Sequence, residues 1–231
     1  MSQQSVLAAT RPELKGQRPD WYPDWAGQYV AVIGGGASVK RSDVDSLQGR
    51  LRVVVINESY QLAPWADALY SCDYKWWKLR WNLVKDFKGL KITQDPLIIR
   101  EHPEIKRVRL RDAVPGQPVK HFLMDEWGVV GSGQGSGFQV LNWLAQIGVA
   151  GIALLGFDGC IINQKVHWHG SHPIELTNPD NSTFVAWKTW LENAAPQLHD
   201  LGIEVINTSF VSTVGRFPRI EVAATMARWG L

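Results

Sequence analysis

Four short apolar runs constrain this chain more than any other feature. They are "YVAVIGGG" from Tyr29, "LRVVVINES" from Leu51, "GIALLGFDG" from Gly151 and "IEVINTS" from Ile203. Val and Ile runs without polar alternation belong to parallel strands that are buried on both faces. Parallel strands need crossovers, and helical periodicity fills the gaps between the runs. A short helix is expected over Ser42 to Leu47 with Ser42 as its N-cap, and "YKWWKLRWNLVKDF" places Trp76, Trp77, Trp81, Leu83, Val84 and Phe87 at helical spacing. A third helix runs from about Ser136 to Ile147 and stops at Gly148. A fourth runs from about Ser182 to Leu201 and is closed by Gly202. The fold class that follows is α/β: a single-domain, Rossmann-like, doubly wound and mostly parallel sheet with helices on both faces.

Composition fits one ordinary globular core. The chain has 231 residues, 45% of them hydrophobic and 20% charged. Residues 1–26 read as an irregular arm packed through Trp21, Tyr22 and Trp25, and residues 27–231 as the single domain, with a variable insertion at about 90–125. Lys and Arg total 24 against 22 Asp and Glu, so bulk charge gives no argument for nucleic-acid or membrane binding. Cys72 and Cys160 stand far apart and suggest neither a disulfide framework nor a cysteine zinc site. No apolar run reaches a membrane span, and the N-terminus lacks the pattern of a signal peptide. A cytoplasmic setting is expected.

The glycines ask what they make room for. Gly34, Gly35 and Gly36 follow a strand, where a backbone without side chains tolerates positive φ and exposes N–H groups to phosphate, and Ser38 adds a hydroxyl. A plain tight turn is the alternative, because "GGGAS" matches neither G-x-G-x-x-G nor a Walker A loop. Asn57 and Glu58, at the end of the second run, are placed to read a ribose or base edge, or else to cap a turn. "GSGQGSG" ahead of a helix makes Ser136 and Gly137 part of a second anion cradle. Ligands sit beyond the carboxyl ends of strands in such sheets, so two glycine turns there point to a cleft for a phosphorylated ligand.

"HWHGSH" gathers His167, His169 and His172 within six residues, beyond Asp158 at a strand end. A histidine at the mouth of a nucleotide cleft suits general-base work, and His167 with Asp158 are the catalytic candidates. The same trio could instead ligate a transition metal or simply hold a loop, and no bound metal is expected. Arg107, Arg109 and Arg111 alternate with Val108 and Leu110, with Arg100, Lys106 and Lys120 nearby. That face meets an anionic acceptor or nucleic acid, or else only solvent; Arg107, Arg109, His169 and His172 are the acceptor-binding candidates.

In order and spacing, "VAVIGGGASV", "VVVINES", "GSGFQVLNWLAQIGVAGIALLGFD", "HWHGSH" and "INTS" resemble the small bacterial sialyltransferases that use CMP-sialic acid. They are also similar to the related superfamily of motility accessory proteins and 6-hydroxymethylpterin pyrophosphokinases, which includes phage-encoded members. The resemblance spans Tyr29 to Ser209. It implies that Gly34, Gly36 and Ser38 match a nucleotide-holding Gly-Asn-Gly-Pro-Ser loop, from which Gly35 and Ala37 depart. It further implies that Asn57 contacts the nucleotide, that Ser136 and Gly137 open the long helix, that Gly156 and Asp158 match a Gly-x-Asp strand end, and that His167 is the base.

The expected function is therefore a nucleotide-dependent transferase, most concretely a glycosyltransferase acting on a nucleotide-activated sugar of CMP type. No tightly bound cofactor is expected, and the sequence leaves the acceptor open, with a glycan and a nucleic acid as candidates. The alternatives are a Mg-dependent pyrophosphokinase-like enzyme, with the metal held by carboxylates such as Asp158, and a non-catalytic protein that binds or sequesters a nucleotide.

Overall fold

The computed structural model describes residues 12–231 apart from 115, 116, 118 and 120, so Lys120 and the first eleven residues of the arm lie outside the described residues. A seven-stranded, all-parallel sheet organises the chain, in the order β5-β4-β3-β2-β1-β8-β9. The strands are β1 (Tyr29–Ile33), β2 (Arg52–Ile56), β3 (Ala68–Tyr70), β4 (Leu90–Thr93), β5 (Lys106–Arg107), β8 (Gly151–Leu155) and β9 (Glu204–Asn207). β6 (Arg109–Arg111) and β7 (Val129–Gly131) form a second, two-stranded parallel pair. The helices are α1 (Arg41–Asp45), α2 (Tyr74–Val84), α3 (Ile98–Glu101), α4 (Ser136–Ile147), α5 (Asn181–Asp200) and α6 (Val222–Arg228).

Period-two alternation along the strands divides the core in two. Val30, Val32, Val54, Ile56 and Tyr70 face one side, where α4 and α5 cover them with Leu141, Leu144, Trp190 and Leu198. Ala31, Ile33, Val53, Val55 and Leu69 face the other, under Val44 of α1, Trp76 and Trp77 of α2, Ile98 of α3 and Met226 of α6. Each fully buried Val, Ile or Leu stabilises this sandwich by about 1.5–3 kcal/mol, which is why both faces of a central strand such as β1 are apolar. The sheet is thus doubly wound, as the sequence predicts.

Several local expectations need correction. α1 is capped at Lys40 with no side-chain cap bond, so Ser42 lies inside the helix. Leu83 is exposed, and the buried stripe of α2 narrows to Trp76, Trp77 and Val84. Residues 90–93 and 106–107 are strands of the main sheet, so much of the expected insertion is framework. Its later part is pinned from behind by α4: Asn142 accepts from the backbone N–H groups of Leu123 and Gly131, and Gln146 donates to the carbonyls of Leu123, Glu126 and Val129. In the described part of the arm Tyr22 and Trp25 are buried edge-on against Trp143 at 6.1 and 5.7 Å. Among the described residues no helix is long and apolar enough to cross a membrane.

Candidate functional site

The chain winds outward from β1 to β5, then returns to lay β8 on the other side of β1, which makes the β1/β8 boundary the topological switch point. Ile33 and Leu155 are register partners there, so Gly34 and Gly156 leave the sheet side by side. Beyond them lies a cleft of about 320 Å³ lined by both glycine turns, by Asn57, by the 156–159 loop and by the three histidines. A second hollow at the opposite end of the strands holds Arg52 and Asp67, which are paired with each other at 3.0 Å.

The first glycine loop is a close-packed joint. None of Gly34, Gly35 and Gly36 has a positive φ. Gly34 donates its N–H to the Leu155 carbonyl and Gly36 to the Gly156 carbonyl, at 2.8 and 3.0 Å, which removes both from the expected phosphate cradle. A Cβ on Gly36 would fall 2.5 Å from both an Asp158 carboxylate oxygen and the Gly156 carbonyl, and one on Gly35 would fall 3.0 Å from Nδ1 of His167. The glycines make room mostly for the chain itself. Ser38 donates both its N–H and its hydroxyl to the buried Asp158 carboxylate and does not line the cleft. Asp158 is therefore a positioning residue that ties the loop after β8 to the loop after β1, and its catalytic assignment does not stand. Its own loop is braced in turn, because Ser212 and Asn207 donate to the Phe157 carbonyl.

The second glycine turn leads into α4. Gly135 caps α4 with no side-chain bond, so the first N–H groups of this 12-residue helix point out of its end without intrahelical acceptors. The Ser136 hydroxyl accepts from the Cys72 N–H at 3.2 Å, and Gly137 is small because Phe157 sits 2.9 Å from where a Cβ would be. Lys188 of α5 lines the cleft and is the only Lys or Arg among the described residues that does. Sequence reasoning missed it, since it reads as one solvated lysine on an amphipathic helix. Cys72 also lines the cleft, but desolvation first and the nearby Asp73 second raise its thiol to about 12, which keeps it from acting as a thiolate.

Asn57 differs from its neighbours. It is one of four described non-glycine residues with positive φ, at 50°, and its Oδ1 is buried with no hydrogen-bond partner. Glu58 also lines the cleft. Its buried carboxylate accepts from Trp76, from Arg80 at 2.7 Å and from Gln61 at 2.6 Å, so it is committed to the fold and not to a ribose.

Trp168 explains the histidine geometry. Its ring packs into the core, its Nε1 donates to Ser59 Oγ at 3.3 Å and its N–H donates to the Gly35 carbonyl at 3.0 Å. With Trp168 turned inward, His167 and His169 share the opposite side and stack, 5.0 Å apart at 11°. His172, whose N–H donates to Asn178 Oδ1 at 2.7 Å, closes the group 4.4 Å from His167. Burial first, then His172 and His169, pushes the His167 imidazole down to about 4; His169 and His172 are also lowered, burial again leading. All three are neutral at physiological pH. Among the described residues six buried side-chain polar atoms lack a partner, and three of them, Asn57 Oδ1, His167 Nε2 and His172 Nδ1, belong to residues lining this one cleft.

The arginines are not brought to the site. Arg107, on the edge strand β5, donates to the Gln94 carbonyl at 3.1 Å, and on β6 of the separate two-stranded pair Arg109 pairs with Glu126 and Arg111 with Asp125. Of the four acceptor-binding candidates only His169 and His172 line the cleft. No protein family, no curated protein and no solved structure matches the chain.

Proposed function

We propose that the cleft is the donor site of a nucleotide-dependent transferase, in the first instance a glycosyltransferase taking a nucleotide-activated sugar of CMP type. The observation that carries this reading is Asn57, a left-handed residue at the carboxyl end of β2 that keeps a buried carbonyl oxygen unpaired at the switch point. Such a group costs the free protein about 1–3 kcal/mol and is accounted for by a ligand N–H or O–H. In this reading the α4 N-terminus and Lys188 hold the donor phosphate, where both dipole and charge favour an anion. Ile56, Phe157 and Val214 give the apolar walls, and the histidine side receives the acceptor hydroxyl, from a glycan or a nucleic acid. The cytidine preference rests on the sequence resemblance alone. Two free cysteines and a nucleotide-sugar donor favour a cytoplasmic setting.

The Mg-dependent kinase reading loses its main carboxylate, because Asp158 is turned onto Ser38. The test is a thermal-shift panel of CMP, CDP, UDP, GDP, ATP and their sugar conjugates. A ligand at 100 times its Kd stabilises the fold by about 2.7 kcal/mol, a rise of about 5–10 °C in a chain of this size. A cytidine nucleotide is expected to give that shift in the wild type and about half of it or less in Asn57→Ala. A folded chain unmoved by every member sinks the proposal, and binding without nucleotide release in the presence of acceptors would mark a non-catalytic binder.

A further inference from the structure

We propose that His167, His169 and His172 form a binding site for one divalent transition-metal ion, of the zinc, cobalt or nickel type, in the wall of the cleft. The three imidazoles each offer a nitrogen, and these nitrogens lie within 4.8 Å of one another. Two of the three residues, His167 and His172, carry a buried nitrogen with no hydrogen-bond partner, as a metal ligand does before its metal arrives. The Nδ1 edge of His167 lies against Gly35, leaving Nε2 as the buried nitrogen without a partner.

The tripod is built on a braced loop. Trp168 fastens it to Ser59 and Gly35 between the first two ligands, and Asn178 holds the backbone at the third. Tetrahedral ligands at about 2.0–2.1 Å from zinc stand about 3.4 Å apart, so nitrogens now within 4.8 Å of one another need to close by up to about 1.4 Å through side-chain rotation. Three imidazoles select borderline metals over magnesium or calcium, which prefer oxygen. Three protein ligands also leave a coordination position open, and all three residues line the cleft, so an oxygen of a hydroxyl or phosphate compound in the cleft is the natural fourth ligand. The site stands whatever the donor proves to be.

The test uses untagged, chelator-treated full-length chain with the metals alone. Equilibrium dialysis with Zn²⁺, Co²⁺, Ni²⁺ and Mg²⁺ is read by elemental analysis, melting temperature and, for Co²⁺, visible absorption. One equivalent of Zn²⁺ or Co²⁺ is expected, with a rise in melting temperature and low-coordinate cobalt bands, and no response to Mg²⁺. His167→Ala, His169→Gln and His172→Ala should each weaken binding at least about 100-fold, while His102→Ala, stacked on Trp81 outside the cleft, leaves it unchanged. Circular dichroism reports folding of each variant, and the wild-type cobalt spectrum decides the matter even if one of them unfolds. A folded wild type that retains no equimolar Zn²⁺ or Co²⁺ overturns the proposal, as does binding of undiminished strength in folded His169→Gln. Failure here leaves nucleotide binding standing, because no nucleotide is present.

Discussion

Replacing Asn57 with glycine should make the free protein more stable and the protein with ligand less so. The backbone at Asn57 has a φ of 50°, and a left-handed L-residue costs roughly 1–2 kcal/mol that glycine does not. Removing the side chain also removes a buried unpaired Oδ1, relieving about 1–3 kcal/mol. Against these stands the extra freedom of glycine in the unfolded chain, about 0.5–1 kcal/mol. The net gain is about 1–4 kcal/mol, or about 2–16 °C in melting temperature for a chain of this length. Thermal and urea unfolding of wild type and Asn57→Gly, each with and without CMP, make the assay. The variant should melt higher alone and lose about half or more of the shift that CMP gives the wild type, which is the usual signature of a residue strained for function. A variant that melts at or below the wild-type temperature would show that no strain is stored there. One that keeps the full shift would show that Asn57 does not read the ligand.

Gly36→Val is expected to destabilise the fold itself, by about 1–3 kcal/mol or more, because its Cβ meets Asp158 and Gly156 at 2.5 Å; calorimetry showing wild-type stability would refute the joint. Arg107→Ala with Arg109→Ala should leave nucleotide affinity within error of wild type, since neither lines the cleft, and a loss of affinity by titration would move that strand into the donor site. Asp180 caps α5, accepting from Thr183 N–H and Ser182, and these bonds hold its carboxyl down at about 2 against the usual 3.8. With the folded value depressed, its contribution is complete above about pH 4 and fades as pH falls through 2. The melting-temperature gap between wild type and Asp180→Ala should therefore be flat from pH 7 to 5 and close in acid; a gap that widens in acid contradicts the assignment.

The parallel core was legible because burial on both faces leaves a mark in the sequence itself. α4 begins at Ser136 and ends at Ile147 as periodicity predicts, and Gly148 adopts the left-handed cap at φ 89° that stops it. Residues 90–125 were not legible, since β5 is two residues long and β6 three, too short for any period to declare itself. At the site, glycine announces that something comes close but not what it is. For Gly36 the neighbour is Asp158, more than a hundred residues on, and only the fold reveals it. The same non-locality misled the reading of Asp158 and Glu58, whose carboxylates look free in sequence and are consumed by Ser38, Arg80, Trp76 and Gln61 in space. His167, His169 and His172 were recognisable as a group by spacing. What spacing could not supply was the inward turn of Trp168 that stacks them into one wall.

Isothermal titration of CMP into the wild type, Asn57→Ala and Lys188→Ala tests most directly that the switch-point cleft holds a nucleotide. Saturable binding of one CMP per chain is predicted for the wild type. Asn57→Ala should bind at least about tenfold more weakly, as expected when a hydrogen bond worth about 1.4 kcal/mol or more is lost, and Lys188→Ala should weaken further as salt is lowered relative to wild type, having lost its phosphate counter-charge. Absence of saturable binding in the folded wild type, or equal affinity in all three proteins, would contradict the account.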